Sequence, residues 1–329
     1  MKIFKKVFIT IGIVIVLGLT LSCVSSCFGW FKNSSEVATV AGKIFFQSDK
    51  YGKKGQTICV LENGQVMPLE GGLRPVYNKK LNKVMYWGGF DKRGLLVIDL
   101  ATGKTIRVPN TKDYGMSNFD WSPDGKRICF ATRINDKTNN VYTMDIDGTN
   151  LKKLTNYTQT IGWEVGDPRW SPDGNKIAFA GPNTDKTVQT DWSKTPLHPA
   201  TIYVMNADGS SVVNIIGNRK FGGSKPSWSP DSTQIVFSGG TGKTTRNEIF
   251  ICDLKDLTIK RITNDEFEDK DPVFSPDSKQ VAFTSYVRGL RGGSELFVIN
   301  IDGTGRSRIT PAKRRFFTWG EDRYPRWYK

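Results

Sequence analysis

Gly166-Asp167-Pro168-Arg169-Trp170-Ser171-Pro172-Asp173-Gly174 runs directly into Asn175-Lys176-Ile177-Ala178-Phe179. A short extended stretch meets a Ser-Pro-Asp-Gly turn and then an apolar stretch. The same order recurs along the chain. Phe119-Asp120-Trp121-Ser122-Pro123-Asp124-Gly125 leads into Ile128-Cys129-Phe130. Pro226-Ser227-Trp228-Ser229-Pro230-Asp231 leads into Ile235-Val236-Phe237, and Pro272-Val273-Phe274-Ser275-Pro276-Asp277 into Val281-Ala282-Phe283. A degenerate copy lies at Pro75-Val76-Tyr77, and a truncated one at Tyr324-Pro325-Arg326-Trp327. The motif aromatic falls at 77, 121, 170, 228, 274 and 327, a mean step of about 50 residues.

Each repeat has a second half. Val141 to Asp145 precedes Asp147-Gly148, Ile202 to Asn206 precedes Asp208-Gly209, and Leu296 to Asn300 precedes Asp302-Gly303. Asp-Gly between apolar runs is a strong hairpin signal. One repeat is therefore four antiparallel strands, A to D, with tight A–B and C–D turns. Such a unit repeated about an axis is a β-propeller blade. The prolines at 75, 168, 226, 272 and 325 place strand A at a sheet edge, because proline donates no ladder hydrogen bond. The chain enters on a strand B, Ile44-Phe45-Phe46, and leaves on a strand A, Pro325-Arg326-Trp327. Joining these two completes a sixth blade and closes the ring. The expected fold is an all-β, six-bladed propeller over residues 40–329.

Repeated Trp-Ser-Pro-Asp-Gly followed by Ile-Ala-Phe resembles the TolB-type propeller and its WD-like relatives. The resemblance covers residues 40–329 and implies a partner-binding module.

The 329 residues carry a formal net charge of +15 and a single histidine. That excess suits an acidic partner. The start of the chain reads as an export signal: Lys2, Lys5 and Lys6, fifteen uncharged residues from Val7 to Leu21, then a small polar stretch. Val24-Ser25-Ser26-Cys27 resembles the bacterial lipobox, which makes Cys27 the expected lipidation site and Cys23 the alternative. The expected organisation is a signal at 1–26, a short tether at 27–39 and the propeller. Export argues against a nucleic-acid partner.

A residue that recurs in every blade serves the scaffold, and a site must break the symmetry. Asp124, Asp173, Asp231 and Asp277 share one turn slot and read as turn residues. The motif aromatics read as packing between blades. Cys59, Cys129 and Cys252 take slots held elsewhere by apolar residues and read as core. The variable B–C and D–A connections share one face, where function is expected. Trp163, Trp192 and Trp319 fall on those loops as contact anchors, with His198 in the longest one. The B–C loops are basic, through Arg133, Arg246, Arg288 and Arg291 among others.

No cofactor motif or metal-ligand spacing is present, and no Gly-x-Ser-x-Gly segment accompanies His198. The expectation is a non-catalytic, monomeric propeller, lipid-anchored outside the cytoplasm, binding an envelope protein or peptide, acidic in character, on the variable face. The alternative is binding of an acidic polysaccharide or other carbohydrate at the same face, with processing less favoured.

Overall fold

The computed structural model describes residues 38, 40–51, 56–89, 92–115, 118–158, 165–183, 200–217, 221–240, 246–287, 293–310, 314–315, 318–319 and 322–328. Among them there is no helix, and so none long and apolar enough to cross a membrane. Blade 1 is built from both ends of the chain. Its strands are β26 (Asp322–Tyr328), β1 (Lys43–Ser48), β2 (Thr57–Glu62) and β3 (Gln65–Gly71), in that order. Ile44 pairs with Trp327 and Phe45 with Arg326 across the closing seam.

Blades 2 to 6 each run through consecutive strands. Blade 2 is β4 (Leu73–Asn78), β5 (Lys83–Trp87), β6 (Leu95–Asp99) and β7 (Thr105–Arg107). Blade 3 is β8 (Asn118–Trp121), β9 (Arg127–Thr132), β10 (Asn140–Asp145) and β11 (Lys152–Lys153). Blade 4 is β12 (Gly166–Trp170), β13 (Lys176–Pro182), β14 (Ala200–Asn206) and β15 (Val213–Asn214). Blade 5 is β16 (Gly222–Trp228), β17 (Gln234–Gly240), β18 (Asn247–Asp253) and β19 (Ile259–Arg261). Blade 6 is β20 (Glu268–Phe274), β21 (Gln280–Val287), β22 (Gly293–Asn300) and β23 (Ser307–Arg308). A separate hairpin, β24 (Arg314–Arg315) with β25 (Thr318–Trp319), lies between β23 and β26.

Strand residues alternate between the two faces of a sheet. In a propeller both faces meet a neighbouring blade, so successive apolar residues enter different cores. In β1, Phe45 joins the core between blades 1 and 2, and Phe46 joins the one between blades 6 and 1. The six buried apolar clusters correspond one-to-one with the six blade junctions.

Each motif aromatic touches the preceding blade. Trp121 Nε1 donates to the Val76 carbonyl at 3.2 Å, and Trp228 Nε1 to the Arg169 carbonyl at 3.0 Å. Tyr77 stacks on Phe45, and Arg127 lies over the Trp170 ring. Phe274 packs with Val236 and Ile249, and Trp327 with Val273 and Leu296. The turn aspartates also behave as scaffold. Ser171 Oγ donates to Asp173 Oδ1 at 2.5 Å and accepts the Lys176 amide, while Asp173 Oδ1 accepts the Asn175 amide. Asp124, Asp231 and Asp277 repeat this pattern. Cys59, Cys129 and Cys252 are buried, unbridged, and set in three different junctions.

Candidate functional site along the propeller axis

Strand A lines the axis, and in five blades it carries a β-bulge. Ladder registration breaks between Leu73 and Val76, between Gly166 and Arg169, between Ser224 and Ser227 and between Lys270 and Val273, with a matching break in β1 opposite β26. At each break a non-glycine residue precedes the proline with positive φ: Arg74, Asp167, Lys225, Asp271 and Tyr324, at 53–56°. Positive φ is uncommon for such residues and marks a position held by its surroundings. Blade 3 has Phe119 in the proline slot, and its strand A pairs without interruption. Its equivalent residue is Asn118.

These six positions, three residues before each motif aromatic, converge on the axis at the variable-loop end. Lys225 Nζ lies 2.8 Å from Asp167 Oδ1. Arg74 Nη1 donates to Asn118 Oδ1 at 2.8 Å. The Arg74 guanidinium and the Lys225 ammonium both face the Tyr324 ring, at 5.0 and 5.5 Å. Burial alone would raise the Asp167 carboxyl, but Lys225 and Arg169 hold it below the usual range. Asp271 is raised instead: burial dominates, opposed by Lys225 and reinforced by the Asp167 charge. Its Oδ1 has no hydrogen-bond partner among the described residues.

A second ring sits two residues further along strand A: Val76, Asp120, Arg169, Ser227, Val273 and Arg326. These side chains line a cavity of about 720 Å³ whose wall continues to the A–B turn prolines, including Pro123 and Pro172. Asp120 accepts the Trp170 amide at 2.9 Å. Burial raises its carboxyl, and Arg169 and Arg326 oppose that rise. Arg169 is pulled down to about 10 by burial and then by Arg326.

The residues singled out from sequence are placed unevenly. Arg133 follows β9 and is exposed on a B–C loop; Arg246 is half-buried just before β18. Trp319 pairs with Arg314 in the β24–β25 hairpin. Cys23, Cys27, Trp163, Trp192, His198, Arg288 and Arg291 lie outside the described residues. The acidic run of the blade 5–6 connection is internally paired. Arg306 bonds Asp265 and Asp269, and Lys270 bonds Glu268. Among the described residues, no three His, Cys, Asp or Glu side chains could share a metal ion.

The axis rings lie inside strand A rather than on the loops where function was expected. A signal was present in the sequence: the slots before and after the repeating proline vary in charge and polarity from blade to blade.

Residues 181–319 match the family described as "TolB beta propeller domain". The fold is that of the TolB-type propeller. It is 29% identical over 230 residues to the Tol-Pal system protein TolB of Francisella tularensis subsp. mediasiatica, covering 69% of this chain and 47% of that protein. The chain thus spans about half the length of the curated relatives it matches. The TolB crystal structure from Acinetobacter baumannii superposes with TM-score 0.69 at 21% identity, over 88% of this chain and 67% of that one. An oligogalacturonate lyase in complex with manganese superposes at 0.58 and 15% identity, over 84% and 76%. At these identities the structural likeness of the TolB-type propeller to either protein is one of fold.

Proposed function

We propose that this propeller is a non-catalytic binding module of a bacterial cell envelope, exported and lipid-anchored through Cys27, which docks a protein or peptide at the variable-loop end of its axis. One observation carries the reading: Arg74, Asn118, Asp167, Lys225, Asp271 and Tyr324 fill one symmetric slot with five residue types in six blades. The proline that follows it in five blades repeats, as does the aromatic character of the motif position. A slot that varies beside such fixed positions is under a demand other than folding. Two cations, two carboxylates, an amide and a phenol at one mouth provide charge-assisted and aromatic contacts to a polar or mixed-charge surface. The curated relatives named for the Tol-Pal system favour a protein partner over a small substrate.

Site-specific photo-crosslinking in cells that naturally carry the protein tests both partner class and face. A crosslinker replacing Arg133 or Arg246 is expected to capture a discrete protein, whereas one replacing Lys126 or Lys279, both exposed on the A–B turns, is not. Capture only from the turn positions refutes the assigned face. Capture of glycan alone would replace the protein partner with an acidic polysaccharide. Loss of fatty-acid labelling in Cys27→Ala checks the anchor; loss only in Cys23→Ala moves it.

A further inference from the structure

The cavity at the A–B turn end is chemically distinct from the mouth just described. Its lining holds Arg169, Arg326, Lys79 and Lys80 against the single carboxylate of Asp120. Arg169 is only 8% exposed. Its Nη1 donates to the Phe119 and Pro168 carbonyls, which fixes the group in place. The Nε–H groups of Arg169 and Arg326 are buried with no acceptor among the described residues. A buried and a half-buried guanidinium facing one carboxylate form an arrangement that an added anion stabilises. The wall above is apolar, made by the rings of Trp121, Trp170, Trp228 and Phe274 with the turn prolines. Their indole N–H groups are already bonded to backbone carbonyls in Trp121, Trp170 and Trp228.

We infer that this cavity binds a ligand with a single carboxylate on an apolar or aromatic body, the carboxylate meeting Arg169 and Arg326 and the body lying against the tryptophans. The cationic excess of the lining suits an anion, and the apolar wall suits one carried on an apolar body. Guanidinium forks suit the planar carboxylate. The volume falls in the range of small-ligand pockets. The site does not depend on the docking reading above, because it occupies the opposite end of the axis.

The test uses the folded propeller labelled with ¹⁵N-arginine and ¹⁵N-tryptophan, with N-acetyl-phenylalanine as probe and its amide as matched control. Titration of the acid is expected to shift the Arg169 and Arg326 Nε–H resonances, and the amide is expected to leave them unmoved. Arg326→Gln should weaken the acid by about tenfold or more, the loss of one charge-assisted interaction. The hydrogen-bonded indole resonances of Trp121 and Trp228 report whether the variant remains folded. Equal shifts from acid and amide, or binding of the acid unaffected by Arg326→Gln in a folded variant, would overturn the inference. Acetyl-Ala-Ala-Phe separates the sources of carboxylate. Tighter binding than the single residue assigns the cavity to a polypeptide C-terminus, and weaker binding to a small free acid.

Discussion

Lys225 Nζ bonds Asp167 Oδ1 at 2.8 Å between blades 4 and 5, and the same ammonium opposes the buried charge of Asp271. One lysine therefore serves two carboxylates. Lys225→Met removes the largest opposing charge from both, leaving only Arg74, Arg169 and Arg326, and is expected to cost about 3 kcal/mol at neutral pH. The pH dependence has a definite sign. The Asp167 carboxyl is depressed in the folded protein, so its contribution is present above its unfolded pKa and lost as pH falls through its folded value. Asp271 is raised, so its cost is relieved as pH falls through that raised value. The stability gap between Lys225→Met and the parent should thus shrink on acidification. Urea unfolding at pH 7 and pH 3 measures it; a constant or widening gap contradicts the pairing.

Arg306 lies over the rings of Phe267, Phe283 and Phe297 while donating to Asp269 and Ser285. Asp269 is fully buried, so Arg306→Ala strands its charge and is expected to cost about 3–5 kcal/mol. Arg306→Lys keeps the charge but loses the planar stacking and the two-sided donation, and should fall between the parent and the alanine variant. Thermal unfolding of the three proteins orders them; a lysine variant as stable as the parent would show that charge alone matters here.

Trp121→Phe keeps most of the ring but removes the donor to the Val76 carbonyl. An unsatisfied carbonyl at the blade 2–3 junction is expected to cost about 1–3 kcal/mol. Chemical denaturation reads the loss. A change within error would mean that the carbonyl finds another donor.

Deleting residues 322–329 removes β26 and leaves β1 with an unpaired edge over Ile44 and Phe46. The remaining chain should lose its single cooperative unfolding transition and self-associate through that edge. Size-exclusion chromatography with scanning calorimetry checks both. A monomeric product with one sharp transition would show that the seam is dispensable.

The blade count, the strand order and the seam were legible because the sequence repeats them. Gly166 to Phe179 contains a turn, an edge marker and a core triplet, and each reports a local preference that the propeller then reuses. Trp121 and Cys129 were assignable for the same reason: a residue that shares a slot with equivalents in other blades shares their environment. The axis was harder. Asp167 stands before a proline in an extended segment, and its left-handed φ comes from the bulge, a tertiary accommodation between strand A and its partner. The convergence of Arg74, Lys225 and Tyr324 joins residues far apart in the chain, and no local pattern carries that. The blade 5–6 connection was also misleading as a string. Four acidic residues in five suggest a charged patch, yet Arg306, about 40 positions later, lies among them.

The bulge in strand A has a consequence for how such a molecule changes over time. At each bulge the residue before proline falls between the registered pairs of the ladder and belongs to none of the six apolar cores. A substitution there alters neither a core nor a registered pair. The five bulged positions can therefore change without breaking the ladder or a core, but Lys225 with Asp167 and Arg74 with Asn118 constrain one another. The ring acts as a lock whose pins are linked in pairs, so the recognised surface drifts by compensated steps while the barrel that holds the pins stays as it is.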